Sequence, residues 1–206
     1  KRQDTMVTNP ATDISGGYFL EPEGNTASDG LYFMSKQGCH IRIHDPKPKV
    51  INPRQLNYIK AYINKFESAL YGDEFAHAKR GYRQYTDTTS LIDWYLVQEI
   101  SANPDGFWCS YIYKERADER LYFGPIWDFD ICWNNCSRMG DVSKRLAIQF
   151  GYGSNYTIKG WYTRMWEDPW FKQAVCQRYE QLREQGLDEQ MIAFVDSMAP
   201  VSYTHL

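Results

Sequence analysis

The sequence predicts an α+β domain: a mostly helical C-terminal lobe beside a small antiparallel sheet. Three observations lead there. Short runs with β-forming residues, bounded by turn residues, fill the first fifty positions. From Asn52 onward, apolar residues recur at spacings of three and four behind capping residues. Between two of those helical patterns lies a hairpin pattern whose return limb carries two aligned acids, Asp128 and Asp130. The chain of 206 residues therefore reads as a single domain, with a strand-rich segment over 1–50 and a helical lobe over 51–206. The hairpin region over 103–133 lies inside that lobe.

The elements follow in order. Gly16-Gly17 turns into a strand at Tyr18-Phe19-Leu20-Glu21-Pro22, and a polar loop runs from Glu23 to Gly30. Leu31–Met34 and His40–Ile43 are two more strands, joined by a turn at Gly38. Asn52 is an N-cap with Pro53 at the first helical position. Leu56, Ile59, Ile63, Phe66 and Leu70 then form one apolar stripe, which leaves Lys60, Lys65 and Glu67 facing water. A second helix spans about Thr88–Ser101, with Ser90 and Asp93 spaced as a capping box. It ends before Asn103-Pro104-Asp105-Gly106, because proline disfavours helical backbone at the residue before it.

Cys109–Tyr113 is then a strand, Arg116–Arg120 a charged tip, and Leu121–Phe123 the return, which continues as a strand over Ile126–Trp133. A glycine-bearing loop fills 134–153. Ordered structure resumes at Trp161–Trp166. Asp168 and Pro169 open another helix, with Phe171, Val175, Tyr179 and Leu182 on one face and a stop at Gly186. A last helix covers about Asp188–Met198.

Composition removes several classes of function. The formal net charge is −3, from 26 acidic and 23 basic residues, so there is no basic excess of the kind that nucleic-acid binding needs. No apolar run approaches the length of a membrane span. The five cysteines, an odd number, lack a second Cys/His pair at zinc spacing and read as buried free thiols. Tyr, Phe and Trp make up 16% of the chain, enough for a core built largely from rings.

The chemistry concentrates between Asn103 and Asp130. In a strand over Ile126–Trp133, side chains alternate faces. Trp127, Phe129, Ile131 and Trp133 then share a core-facing side, with Asp128 and Asp130 on the other. Carboxylates two apart in a strand lie about 6–7 Å apart at Cα and repel each other unless a cation or donor stands between them. Mg²⁺ is held in this way, by one or two carboxylates together with phosphate oxygens and water. Asp105, on the turn that opens the same hairpin, supplies a third acid. The order of a loop acid, a strand and then a metal-binding acid is that of protein kinases, in which the first acid accepts the substrate proton. Five residues after that acid, kinases place an Asn that reaches metal; here the position is Ser110, and Asn103 and Asn135 are nearby amides.

The run Leu91–Ile100, then Asn103-Pro104-Asp105, Ser110–Lys114 and Gly124-Pro125-Ile126-Trp127-Asp128-Phe129-Asp130 resembles the central signature of the CotH kinase family. That family takes its name from a spore-coat protein and has an atypical protein-kinase-like fold. The resemblance implies transfer of phosphate from ATP, with Mg²⁺, to Ser or Thr of a protein substrate. Matched position by position, it makes Asp105 the base or substrate orienter and Asp128 and Asp130 the metal ligands. It also puts Asn103, Ser110, Trp127 and Asn135 around the nucleotide. It implies a bacterial secreted or cell-surface setting. It further implies that most of the strand-rich lobe that covers the nucleotide lies upstream of Lys1, so that this chain carries the metal and base side of the site. Neither G-x-G-x-x-G nor a Walker A motif occurs, and Asn134 stands where family members often have a small residue. Two other classes share these features. Paired acids among many Trp and Tyr also describe carbohydrate-active or carbohydrate-binding modules, and a non-catalytic surface or scaffold protein could keep the fold.

Overall fold

The computed structural model describes residues 13–23, 30–136, 140–150 and 157–203. Five strands form one antiparallel sheet: β1 (Tyr18–Glu23), β2 (Leu31–Met34), β3 (His40–Asp45), β4 (Ile112–Lys114) and β5 (Leu121–Phe123), in the order β2-β3-β1-β4-β5. β1 lies at the centre, pairing Glu21 with Arg42 of β3 and Phe19 with Tyr113 of β4. The hairpin of the later segment thus completes the sheet begun by the first fifty residues. Gly38 makes the β2–β3 turn at a φ of 85°, a region that only glycine enters without strain.

Among the described residues five α-helices accompany the sheet: α1 (Pro53–Tyr71), α2 (Thr88–Ile100), α3 (Ile158–Met165), α4 (Pro169–Glu184) and α5 (Leu187–Tyr203). The fold is α+β. α1 begins where the sequence places it. The Asn52 side chain accepts the Gln55 N–H, and the Gln55 side chain accepts the Asn52 N–H, completing a capping box. α4 opens likewise, with the Asp168 carboxylate accepting the Trp170 N–H and Pro169 in the first turn.

The core lies between one face of the sheet and the helices. Leu20, Ile41 and Ile112 come from the sheet, and Ile59, Ile63, Phe66 and Leu70 from the stripe of α1. Its other half is aromatic. The fully buried Tyr162 ring stacks on Trp94 at 4.9 Å and meets Tyr95 at 5.3 Å and Phe123 at 5.7 Å, and its hydroxyl donates to the Leu91 carbonyl. Offset and edge contacts of this kind add to the area that the rings bury.

Several sequence expectations are corrected. Residues 126–133 do not form a strand. β5 ends at Phe123, Pro125 has no N–H to give a partner, and Asp128, Trp133 and Asn134 all have positive φ, which breaks the alternation of faces. Trp127 and Trp133 are consequently more than half exposed instead of packing in the core. β4 begins at Ile112, three residues later than expected, and α5 runs on to Tyr203. Asp87, not Ser90 with Asp93, caps α2, accepting the Ser90 N–H at 2.8 Å. Glu67 does not face water: it is 1% exposed and accepts the Trp161 indole N–H at 3.0 Å. Tyr179 on α4 is exposed. The cysteines are free, but only Cys39 and Cys132 are buried, while Cys176 is exposed. Residues 24–29 of the polar loop, and 137–139 and 151–153 of the loop over 134–153, lie outside the described residues.

Candidate active site

The site begins where α2 stops. Past Ile100 the chain turns through Ala102 at positive φ, and residues 105–107 form a single 3₁₀ turn. Gly106 packs closely on α2 there: a Cβ at this position would lie 2.3 Å from the Oε1 atom of the buried Gln98 and would have to displace that side chain. The close approach aims Asp105 towards the segment that follows β5. That segment is held from below by Trp133, whose N–H donates to the Ser101 carbonyl at 2.8 Å.

Asn103 joins the two loops. It is fully buried, and its amide works at both ends. The Oδ1 atom accepts the Asp105 N–H at 3.1 Å. The Nδ2 group donates to the Asp128 carbonyl at 3.1 Å and to Gln98 Oε1 at 2.9 Å. Asn135 performs a smaller version of this task on the surface, donating from Nδ2 to the Asp130 carbonyl at 2.7 Å. Both amides therefore position the acids through backbone contacts.

As a result Asp105, Asp128 and Asp130 converge, with one carboxylate oxygen from each lying within 4.8 Å of the others. Asp105 is half-buried and the other two are exposed. Partial desolvation, then the charge and hydrogen bonding of Asp130, pushes the Asp128 carboxyl above the usual range. Beneath them the buried Cys132 thiol is pushed up to about 11, chiefly by burial, with the three aspartates adding to the effect. The donor set fits a hard divalent cation. It consists of carboxylate oxygens alone, one from each of three acids, all within 4.8 Å of one another.

Two sequence candidates take other places. Ser110 is 2% exposed, and its hydroxyl accepts the Trp94 indole N–H at 2.9 Å, tying β4 to α2. Trp127, expected on a core-facing side, is 52% exposed and lies edge-on to Tyr111 at 5.7 Å. It continues a row on the outer face of the sheet, in which Tyr111 also meets Phe19 at 4.8 Å and His44 at 5.5 Å. Sequence reasoning missed Gln98, the buried anchor of Asn103, because a glutamine on a helix carries no chemical signature. It also missed the left-handed backbone of Asp128, for which an Asp between two aromatics gives no cue.

Three aspartates from two separate loops thus converge on one α+β domain. Residues 10–201 match the family described as CotH kinase protein, and the chain belongs to that family. No curated protein and no solved structure matches the chain. Among the described residues, no helix is long and apolar enough to cross a membrane.

Proposed function

We propose that the chain carries the catalytic face of a kinase that transfers the terminal phosphate of ATP, with Mg²⁺, to a Ser or Thr hydroxyl of a protein substrate. One observation carries the reading. Two loops that are remote in sequence bring Asp105 to Asp128 and Asp130, and one buried amide hydrogen-bonds the backbone of both loops.

The geometry supports the following roles. Asp105, at the edge of the cluster and only half-buried, accepts the proton of the attacking hydroxyl and orients it. Asp128 and Asp130 hold the cation. Mg²⁺ held there would supply positive charge to the phosphate oxygens of the transferred group. Trp127 offers an exposed ring beside Asp128 for the base of the nucleotide. The carbohydrate-hydrolase alternative finds less support. Glycoside hydrolysis uses a pair of carboxyl groups flanking the scissile bond, whereas three acids converge here.

The test is transfer of labelled phosphate from ATP to a serine-rich protein acceptor by the full-length protein. Asp105→Asn and Asp128→Asn each reduce transfer by about 10²-fold or more, and both fold as judged by circular dichroism. Undiminished transfer by both variants overturns the assignment.

A further inference from the structure

A second cluster of ligating side chains lies on the outer face of the sheet and has no part in the phosphate-transfer reading. Glu21 and Glu23 project from β1 on the side away from the core, yet they are only 7% and 6% exposed. Cys109 reaches them from the chain that enters β4, at an isolated bridge with Glu23. The Cys109 thiol lies 2.8 Å from Glu21 Oε1. One donor atom from each of the three falls within 4.8 Å of the others. Two neighbours from β3 complete the group: the His44 Nε2 atom contacts Glu21 Oε2, and the Arg42 Nε atom lies 3.4 Å from Glu23 and 3.7 Å from Glu21.

This arrangement differs from the aspartate cluster in two ways. First, its donors are mixed. A thiol with carboxylates and an imidazole at its edge suits a cation of borderline softness such as Zn²⁺, whereas oxygens alone suit Mg²⁺. Second, its charge is incomplete. With His44 neutral, the form in which an imidazole ligates a metal, two buried carboxylates face one guanidinium. A divalent cation that displaces the thiol proton to solvent adds two positive charges and creates one negative charge. Glu21, Glu23 and the Cys109 thiolate then total −3 against +3 from Arg42 and the ion. Buried charge that is left unbalanced is costly, and this exchange balances it.

We propose that Glu21, Glu23 and Cys109, with His44 against Glu21, form a binding site for a Zn²⁺-class divalent cation, separate from the aspartate cluster. Ligation there pins β1 to the segment that follows Asp105: the Cys109 N–H donates to the Asp105 carbonyl at 3.0 Å. The ion thus braces the turn that presents Asp105, a structural task that does not require phosphate transfer to occur.

The experiment uses Co²⁺ as the probe, titrated into the full chain after dialysis against a chelator. The expected result is a thiolate-to-cobalt charge-transfer band that saturates at one equivalent and persists in excess Mg²⁺. Cys109→Ser abolishes the band, whereas Cys132→Ser and the Asp128→Asn/Asp130→Asn pair retain it. Glu23→Gln weakens Co²⁺ binding about tenfold or more. Absence of the band, its survival in Cys109→Ser, or its loss on adding Mg²⁺ overturns the proposal. Should Cys109→Ser not fold, X-ray absorption of the Zn²⁺-loaded wild-type chain decides: one sulfur among the ligands supports the site and none overturns it. A kinase assay plays no part, so failure here and failure of the phosphate-transfer reading are separate results.

Discussion

The Asn103 side-chain amide donates to the Asp128 carbonyl at 3.1 Å while its oxygen accepts the Asp105 N–H at the same distance. One buried residue thus sets the separation of a loop acid and an acid that follows β5. Asn103→Ala removes both contacts and leaves the Gln98 oxygen without its donor. Buried polar groups left unpaired cost about 1–3 kcal/mol, and the two loops lose their common anchor. The expected outcome is a lower urea midpoint by that amount. Phosphate transfer falls further than the unfolded fraction accounts for, by about 10²-fold, since misplacement near 1 Å costs that much. Transfer per folded molecule equal to wild type would show that Asn103 acts on stability alone.

Asp128 predicts a pH dependence of defined sign. Its carboxyl is raised in the folded chain above the ordinary value of 3.8, first by desolvation and then by Asp130. An acid of this kind binds its proton more tightly folded than unfolded. Stability without metal therefore falls as pH rises from about 3.8 through the raised folded value and then levels off. Asp128→Asn removes that loss, so the metal-free variant melts higher than wild type near neutral pH. The gain is below about 1 kcal/mol, because the group is exposed and solvent screens it. Mg²⁺ with ATP raises the wild-type melting temperature and leaves that of the variant unchanged. Thermal melts across pH, with and without Mg²⁺-ATP, check both statements.

What the sequence made legible was local. Asn52 with Pro53, and Asp168 with Pro169, start helices because a cap and a fixed φ act within four residues. The three aspartates were legible as a set because residue type and spacing carry their chemistry. What stayed hidden depends on distant partners. Alternation over Ile126–Trp133 has the period of a strand, but a strand also needs a neighbour. The register of β4 with β5 ends at Ile112 opposite Phe123, so the segment turns left-handed at Asp128 instead. The same turn moves Trp127 from the core to the surface and brings Asp128 to Asp105.

Glu67 shows the same lesson through energy. It falls off the apolar stripe of α1, so helical periodicity assigns it to water, yet α3 covers it and supplies the Trp161 indole donor. Burial raises its carboxyl, and the hydrogen bonds it receives offset only part of that rise. Glu67→Gln keeps an oxygen for the indole and removes a desolvated charge, so stability near neutral pH is unchanged or higher. The fall in stability as pH rises above about 4.5 becomes shallower. Glu67→Ala instead orphans the indole N–H and leaves a cavity, costing about 2–4 kcal/mol. Urea unfolding at several pH values separates the two variants, and a Gln variant as unstable as the Ala variant would mean that the charge itself is required.

Trp127 separates a binding role from a packing role. A tryptophan that is 52% exposed, with one edge contact to Tyr111, contributes little to the fold. Trp127→Ala therefore changes stability by no more than about 0.5 kcal/mol. Its ring nevertheless adjoins Asp128, and a base stacked on an aromatic ring is worth about 1–3 kcal/mol. The expected kinetic result is a KM for ATP raised about tenfold, with kcat within a few-fold of wild type and the KM for the protein acceptor unchanged. Trp127→Phe restores most of the loss, because it keeps a face on which to stack. If Trp127→Ala raised the acceptor KM and left that for ATP alone, the exposed ring would belong to the protein substrate. Trp133, the other exposed tryptophan of that segment, would then be the next ring to replace in the search for the nucleotide base.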